Sequence, residues 1–289
     1  AAVGAAAAVA GRGKALRRPA RRADATSSDE VSRSDLFRGL GGFGAAIAAT
    51  PLAPAPAAAK SLEEAAAQLA TYGVPQIAPK EGPPGGWKIV VEPIGLASDA
   101  EYGRFKLGAE PQVVTFNVPP LWVVSVPNID FNGAAGTVQA NDYGKGDSAT
   151  LYVDTKFKGD FNEFGKKDAL IAMKKALTMK GKGFIEGLKI IKVRDGAPGY
   201  KILEYDYEIE SAAGFSINRN GLASVTQTGD AGNLQIFWTG VVTPRWGDME
   251  GTMQKIVDSF RIATVPKTVT IPKRDFTRQD EVEARQIGV

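Results

Sequence analysis

Cysteine and histidine are both absent from the 289 residues. Without cysteine there are no thiol nucleophiles, disulfides or thiolate metal sites, and bridges give no clue to the redox compartment. Without histidine the chain lacks the one side chain that ordinarily titrates near neutrality, and with it the commonest general base and transition-metal ligand. Serine–histidine triads, zincin motifs and facial iron triads are thereby excluded, leaving carboxylate or lysine chemistry for any enzyme reading. Long apolar runs are scarce too. The Gly/Ala stretch from Gly39 to Ala49 is too short and glycine-rich to span a membrane, which needs ~20 predominantly apolar residues. The remaining composition, 44% hydrophobic and 23% charged, suits a globular chain with a sizeable core.

The net charge of +3 hides an uneven distribution. Acids are missing from Ala1 to Ala23, where Arg12, Lys14, Arg17, Arg18, Arg21 and Arg22 supply every charge. An arginine- and alanine-rich start followed by Ser27 and Ser28 reads as a transit peptide, with a nucleic-acid arm as the rival. A second signal follows it. Ser32-Arg33-Ser34-Asp35-Leu36-Phe37 resembles a twin-arginine export signal with serine in place of the second arginine, and Ala57-Ala58-Ala59 after a short apolar region has the form of a cleavage site. Residues 1–59 are thus read as a bipartite plastid transit and lumen-targeting segment.

Ser61 with Glu64 three residues on forms a capping-box pattern that predicts a helix to about Thr71. Val74 to Gly86 is dense in proline and glycine and reads as an extended linker, so residues 60–86 are taken as a short helix and linker. From Trp87 the chain reads mainly as strands: Trp87 to Val91, Val113 to Val118, Trp122 to Val126, Gly136 to Ala140 and Ala149 to Thr155. A helix is expected from Asn162 to about Lys180, with Leu170, Met173 and Leu177 as its buried stripe. Strands from Phe184 to Arg194, Tyr200 to Ser211, Gly221 to Thr228 and Asn233 to Val242 come next. A final helix runs from Arg245 to about Phe260, with Met249, Met253, Ile256 and Phe260 on one face. Many strands interrupted by two helices imply an antiparallel sheet covered by helices, not a βαβ repeat. Residues 87–262 are read as the folded domain and residues 263–289 as a charged C-terminal tail.

Several short signatures, in order, resemble the PsbP family of thylakoid-lumen proteins. They are Phe116-Asn117-Val118-Pro119-Pro120-Leu121-Trp122, Phe161-Asn162-Glu163-Phe164-Gly165, Gly199-Tyr200-Lys201-Ile202-Leu203-Glu204-Tyr205, and Thr243-Pro244-Arg245-Trp246 with Ile256-Val257-Asp258-Ser259-Phe260-Arg261-Ile262. The resemblance covers about Val113 to Ile262. It implies an α+β fold, an α/β/α sandwich with a central antiparallel β-sheet flanked by helices, in which Trp122 and Trp246 are core anchors. It also implies a non-enzymatic role as an extrinsic or auxiliary lumenal protein of photosystem II, of the kind that stabilises the oxygen-evolving complex and retains ions. Other members assist assembly of photosystem I or other thylakoid complexes. No cofactor is expected to be tightly bound, and weak calcium or manganese association follows from the resemblance alone. The chain departs from the oxygen-evolving subunit in having no A-N-V-F-G-like segment near Lys60 and none of the family's metal-binding histidines.

Two surface features stand out. Lys156, Lys158, Lys166, Lys167, Lys174, Lys175, Lys180 and Lys182, continued by Lys189, Lys192 and Arg194, make a basic field suited to an acidic lumenal partner, with binding that weakens in salt. Glu204, Asp206, Glu208 and Glu210 alternate with Leu203, Tyr205, Tyr207 and Ile209, the pattern of a strand with one wet face. Carboxylates at this spacing, ~6 to 7 Å apart, help share a hard cation but do not alone supply the roughly six to eight oxygens calcium prefers. Gly144-Lys145-Gly146-Asp147-Ser148 lacks the spacing of a phosphate loop and reads as a hairpin turn.

Overall fold

The computed structural model describes residues 60–95, 110–125, 138–155, 157–178, 185–210, 214–229 and 232–271. The expected leader (1–59), Lys156, Lys180, Lys182 and the tail beyond Ile271 lie outside the described residues. Within the described residues the fold is α+β, and every strand pairing is antiparallel.

Among the described residues ten strands form two sheets. The larger contains β3 (Val123–Ser125), β4 (Gln139–Asp142), β5 (Asp147–Asp154), β6 (Ile185–Asp195), β7 (Tyr200–Glu210), β8 (Ser216–Thr228) and β9 (Asn233–Val242), in the order β3-β4-β5-β9-β8-β7-β6. The smaller holds β1 (Lys88–Ile94), β2 (Gln112–Val118) and β10 (Arg261–Thr264), with β2 in the middle. Among the described residues three α-helices accompany them: α1 (Leu62–Thr71), α2 (Lys166–Thr178) and α3 (Trp246–Ser259).

Period-two alternation along β7 decides how the large sheet is dressed. Leu203, Tyr205 and Tyr207 point to a core shared with Ala169, Ala172, Met173 and Ala176 of α2. On the opposite face, Leu151, Phe237 and Val241 meet Met253, Ile256 and Val257 of α3, together with Val114 and Phe116 of the small sheet. Phe237 is the hinge of this core, stacked on Phe260 at 4.7 Å between ring centres and tilted against Phe116 at 4.7 Å. The outer face of the small sheet is closed by α1, whose Ala65 and Leu69 are buried with Ile89, Val91 and Val113. The capping box starts α1: the Glu64 N–H donates to Ser61 Oγ at 3.2 Å, and the Ser61 N–H donates to the Glu64 carboxylate at 2.7 Å. The proline-rich stretch after it is not the plain extended linker expected: it opens with a 3-10 turn at Pro75–Ile77, and Val74 and Ile77 are buried against the small sheet.

Helix α2 departs from expectation in two ways. It begins at Lys166, after a separate 3-10 turn at Phe161–Glu163 held by Asp160, whose carboxylate accepts the Asn162 N–H at 2.8 Å. It is also rotated about its axis. The three alanines and Met173 face the sheet, while Leu170 is exposed and Leu177 half-buried. Alanine lets the helix approach a sheet face already filled by Tyr205 and Tyr207, and larger side chains there would hold it off.

Candidate docking face

The two tyrosines under α2 set that approach. The Tyr205 hydroxyl donates to the Thr239 carbonyl at 2.5 Å, and its ring lies 5.8 Å from that of Tyr207. Both hydroxyls occupy space that only glycine leaves open. A Cβ at Gly221 would fall 2.6 Å from the Tyr205 hydroxyl, and one at Gly240 would fall 2.6 Å from that of Tyr207. Burial, with Tyr207 adding to it, pushes the Tyr205 hydroxyl well above the usual tyrosine range, partly offset by Arg219. Burial raises Tyr207 as well, against the pull of the Arg219 guanidinium.

With its inner face committed to alanine, α2 carries its larger aliphatics outward: Leu170 is 41% and Ile171 50% exposed. Helical spacing puts Lys166 and Lys174 one turn either side of Leu170, and Lys167 and Lys175 one turn either side of Ile171. Two of these lysines are tethered. Lys166 Nζ donates to the Ile191 carbonyl at 2.7 Å, and Lys175 Nζ pairs with the nearly buried Asp154 at 2.6 Å. Lys158, Lys167 and Lys174 are exposed and make no ion pair among the described residues. Ile191 itself is 44% exposed. It sits at a break in register, where Ile190 opposes Tyr205 and Lys192 opposes Glu204, so one residue of β6 is left over. Bulges of this kind re-aim a side chain and discourage pairing along a sheet edge.

The basic field read along the sequence is therefore divided by the sheet. Lys189 lies opposite Asp206 and Lys192 opposite Glu204 across the β6–β7 pair, so these lysines share the acidic strand face instead of extending the α2 surface. Arg194 turns toward α3, donating to Gln254 Oε1 at 2.6 Å. The acidic row Glu204, Asp206 and Glu208 keeps its strand spacing, Glu210 at the strand end is exposed, and no cluster of three metal-ligating side chains occurs among the described residues.

Sequence reasoning missed how the remaining acids are used. Asp147, fully buried, receives both contacts from the Arg245 guanidinium at 2.7 Å, joining the start of β5 to the start of α3. The turn before it is a hairpin: the Lys145 and Gly146 N–H groups donate to the Asp142 carbonyl at 3.1 and 2.8 Å. Of the expected core anchors, Trp122 is buried and Trp246 packs half-buried against the α3-side core. No described helix is long and apolar enough to cross a membrane.

No protein-family profile and no curated protein matches the chain. Among solved structures it is similar to cyanobacterial PsbP (CyanoP) from Synechocystis sp. PCC 6803, with 19% identity and a TM-score of 0.37, covering 60% of this chain and 92% of that one. It is also similar to the Ran-binding protein Mog1p of Saccharomyces cerevisiae, with 13% identity and a TM-score of 0.31, covering 60% of this chain and 96% of that one.

Proposed function

We propose that the chain works by docking and not by catalysis, as an extrinsic or auxiliary lumenal protein of photosystem II that sits peripheral to the thylakoid membrane. The observation that carries this reading is the outer face of α2, where Leu170 and Ile171 stand exposed among Lys166, Lys167, Lys174 and Lys175. Exposed aliphatics supply contact area, and the surrounding lysines steer the face onto an acidic partner. The ordered signatures from Phe116 to Ile262 and the leader-like start supply the compartment. On this reading the protein stabilises the oxygen-evolving complex by covering it, and any calcium or manganese it meets is held weakly.

A second reading, an assembly factor or linker for photosystem I or another thylakoid complex, draws on α1. Lys60 bridges to Ile89 and Leu62–Thr71 is a capped helix with Ala65 and Leu69 fully buried, so this segment is not free to reach into a partner as an ion-retaining arm would be.

Fractionating thylakoids and repeating the separation after a high-salt wash tests both. Recovery with intact photosystem II, lost in salt, is the expected result. Recovery only with photosystem I or with subassemblies selects the second reading, and salt-resistant attachment removes the lysine face from either.

A further inference from the structure

Singly, an exposed apolar side chain needs no explanation. The three most exposed large ones among the described residues, Leu121 (86%), Phe215 (71%) and Tyr143 (68%), all stand at one end of the large sheet. The register places them there. Val123 at the start of β3 faces Asn141 near the end of β4, and Asp142 faces Asp147 across the turn that carries Tyr143. Ser148 of β5 faces Gly240 of β9, and Val242 at the end of β9 faces Arg219 of β8, four residues inside Phe215. Leu121 lies two residues outside Val123, so the turns into β3, from β4 to β5 and from β7 to β8 all point the same way.

Each turn is held on the frame of the sheet. The Trp122 N–H donates to the Pro119 carbonyl at 3.1 Å and Lys88 Nζ donates to the Trp122 carbonyl at 3.2 Å, which fixes the loop that carries Leu121. The Tyr143 turn closes on the Asp142 carbonyl, and its Gly146 carbonyl accepts from Arg219 at 2.6 Å, tying it to β8. Gly214, at φ +78°, and the pairing of Glu210 with Ser216 set the position of Phe215. Leu121 and Tyr143 sit on neighbouring strand ends, while Phe215 is about 19 Å away across the strand order β3-β4-β5-β9-β8 and projects about 13 Å beyond the end of β9.

We propose that this end of the large sheet enters the interfacial region of a lipid bilayer, with Leu121, Tyr143 and Phe215 as three separate insertions and the strands meeting the membrane at a slant. Two observations select a lipid surface over a protein one. Three side chains at this separation, on separate turns, make no contiguous patch of the roughly 800 Å² that each partner buries in a stable protein interface, whereas a fluid interface takes each side chain by itself. Leucine and phenylalanine are also residues that gain at the acyl boundary, and tyrosine does so while keeping its hydroxyl among the headgroups. The charges at this end nearly balance: Lys145 stands 4.0 Å from Asp142, Arg245 pairs with buried Asp147 at 2.7 Å, and Glu210 and Arg219 of opposite sign lie on the strands behind Phe215. Such a surface fits uncharged lipid headgroups, and its attachment is indifferent to salt. It is distinct from the outer face of α2, which responds to salt, and does not rest on the photosystem reading.

The test mixes the full chain with phosphatidylcholine vesicles and separates bound from free protein by flotation. The parent is expected to float at low and high salt alike, and Leu121→Ser/Tyr143→Ser/Phe215→Ser to partition at least about tenfold more weakly. Leu170→Ser/Ile171→Ser floats as the parent does. Tyr143→Trp reports the insertion directly: its added emission moves to shorter wavelength with vesicles and is quenched by lipid brominated near the headgroup end of the acyl chain, a reading that stands even if the triple variant fails to fold. No flotation of the parent, equal flotation of a folded triple variant, loss of flotation in salt or in the α2 variant, or Tyr143→Trp emission indifferent to vesicles would each overturn the proposal. So would a dimer of the parent that the triple variant abolishes, since the tips would then be a protein interface.

Discussion

Helix α3 turns Met253, Ile256 and Val257 into the sheet and closes on the buried Phe260, whereas α2 buries three alanines and one methionine and leaves Leu170 and Ile171 outside. Both helices cover the same sheet, one on each face. The α3 side spends its large side chains on cohesion, because it must hold two sheets together through Phe116, Phe237 and Phe260. The α2 side has only one sheet to cover and packs on the buried tyrosines through small residues, which leaves Leu170 and Ile171 on its outer surface. If the α2 face is the docking surface proposed above, stability and recognition are separated onto opposite faces, and substitutions on the two faces should differ in kind.

The sharpest break comes on the α3 side. Phe260→Ala removes a ring stacked on Phe237 and set edge-on to Tyr200 at 6.2 Å, and is expected to cost about 3–5 kcal/mol in urea melts. Next comes Asp147→Ala, which leaves Arg245 without its buried partner at the start of α3. Its expected cost is about 3 kcal/mol, and unlike a surface pair it should persist in high salt.

On the α2 side the comparison is sharpened by alkali. Tyr205 and Tyr207 have hydroxyls raised by burial in the folded state, so the neutral forms favour folding. Their contribution is complete below the unfolded tyrosine value, about 10, and is lost as pH climbs through the higher folded values. Absorbance at 295 nm should therefore show three tyrosines that ionise late, Tyr205 and Tyr207 together with Tyr200, which burial beside Phe260 also raises, the first two with loss of structure on the α2 side. Early, independent ionisation of all seven tyrosines in a still-folded chain would mean that this face is looser than the packing indicates.

What was legible in the sequence follows the same division. The alternation along β7, the stripe Met253, Ile256 and Phe260, and the hairpin before Asp147 are local patterns, and each is found where its spacing placed it. Helix α2 was misread because a hydrophobicity pattern weighs leucine above alanine, while the sheet selected for closeness. Strand β10 follows α3 with one residue between and spans only Arg261–Thr264, too short for a period to register. Its partner β2 lies far back in the chain, so the division into two sheets is a long-range outcome that no local window contains. The basic field misled for a related reason: lysines of one sequence run, such as Lys174 on α2 and Lys192 on β6, stand on different faces, and Lys189 and Lys192 meet acids that only the register reveals.

The smallest expected effect on stability is the most informative about function. Replacing Leu170 and Ile171 together by serine removes no buried area from the α2 core, which consists of Ala169, Ala172, Met173 and Ala176. Exposed helix positions of this kind shift stability by only about 0.5 kcal/mol either way, and serine costs the helix a similar amount through its weaker propensity. The melt should hardly move. If the outer face of α2 is the contact surface, attachment to thylakoid complexes should nonetheless fall at constant salt, because the lysines remain to steer and only the contact area is gone. A Lys167→Glu/Lys174→Glu variant should do the reverse, slowing association most at low ionic strength while leaving the aliphatic contact intact. Should both variants attach as the parent does, α2 is merely a solvated cover and the contrast between the two helices is one of packing alone.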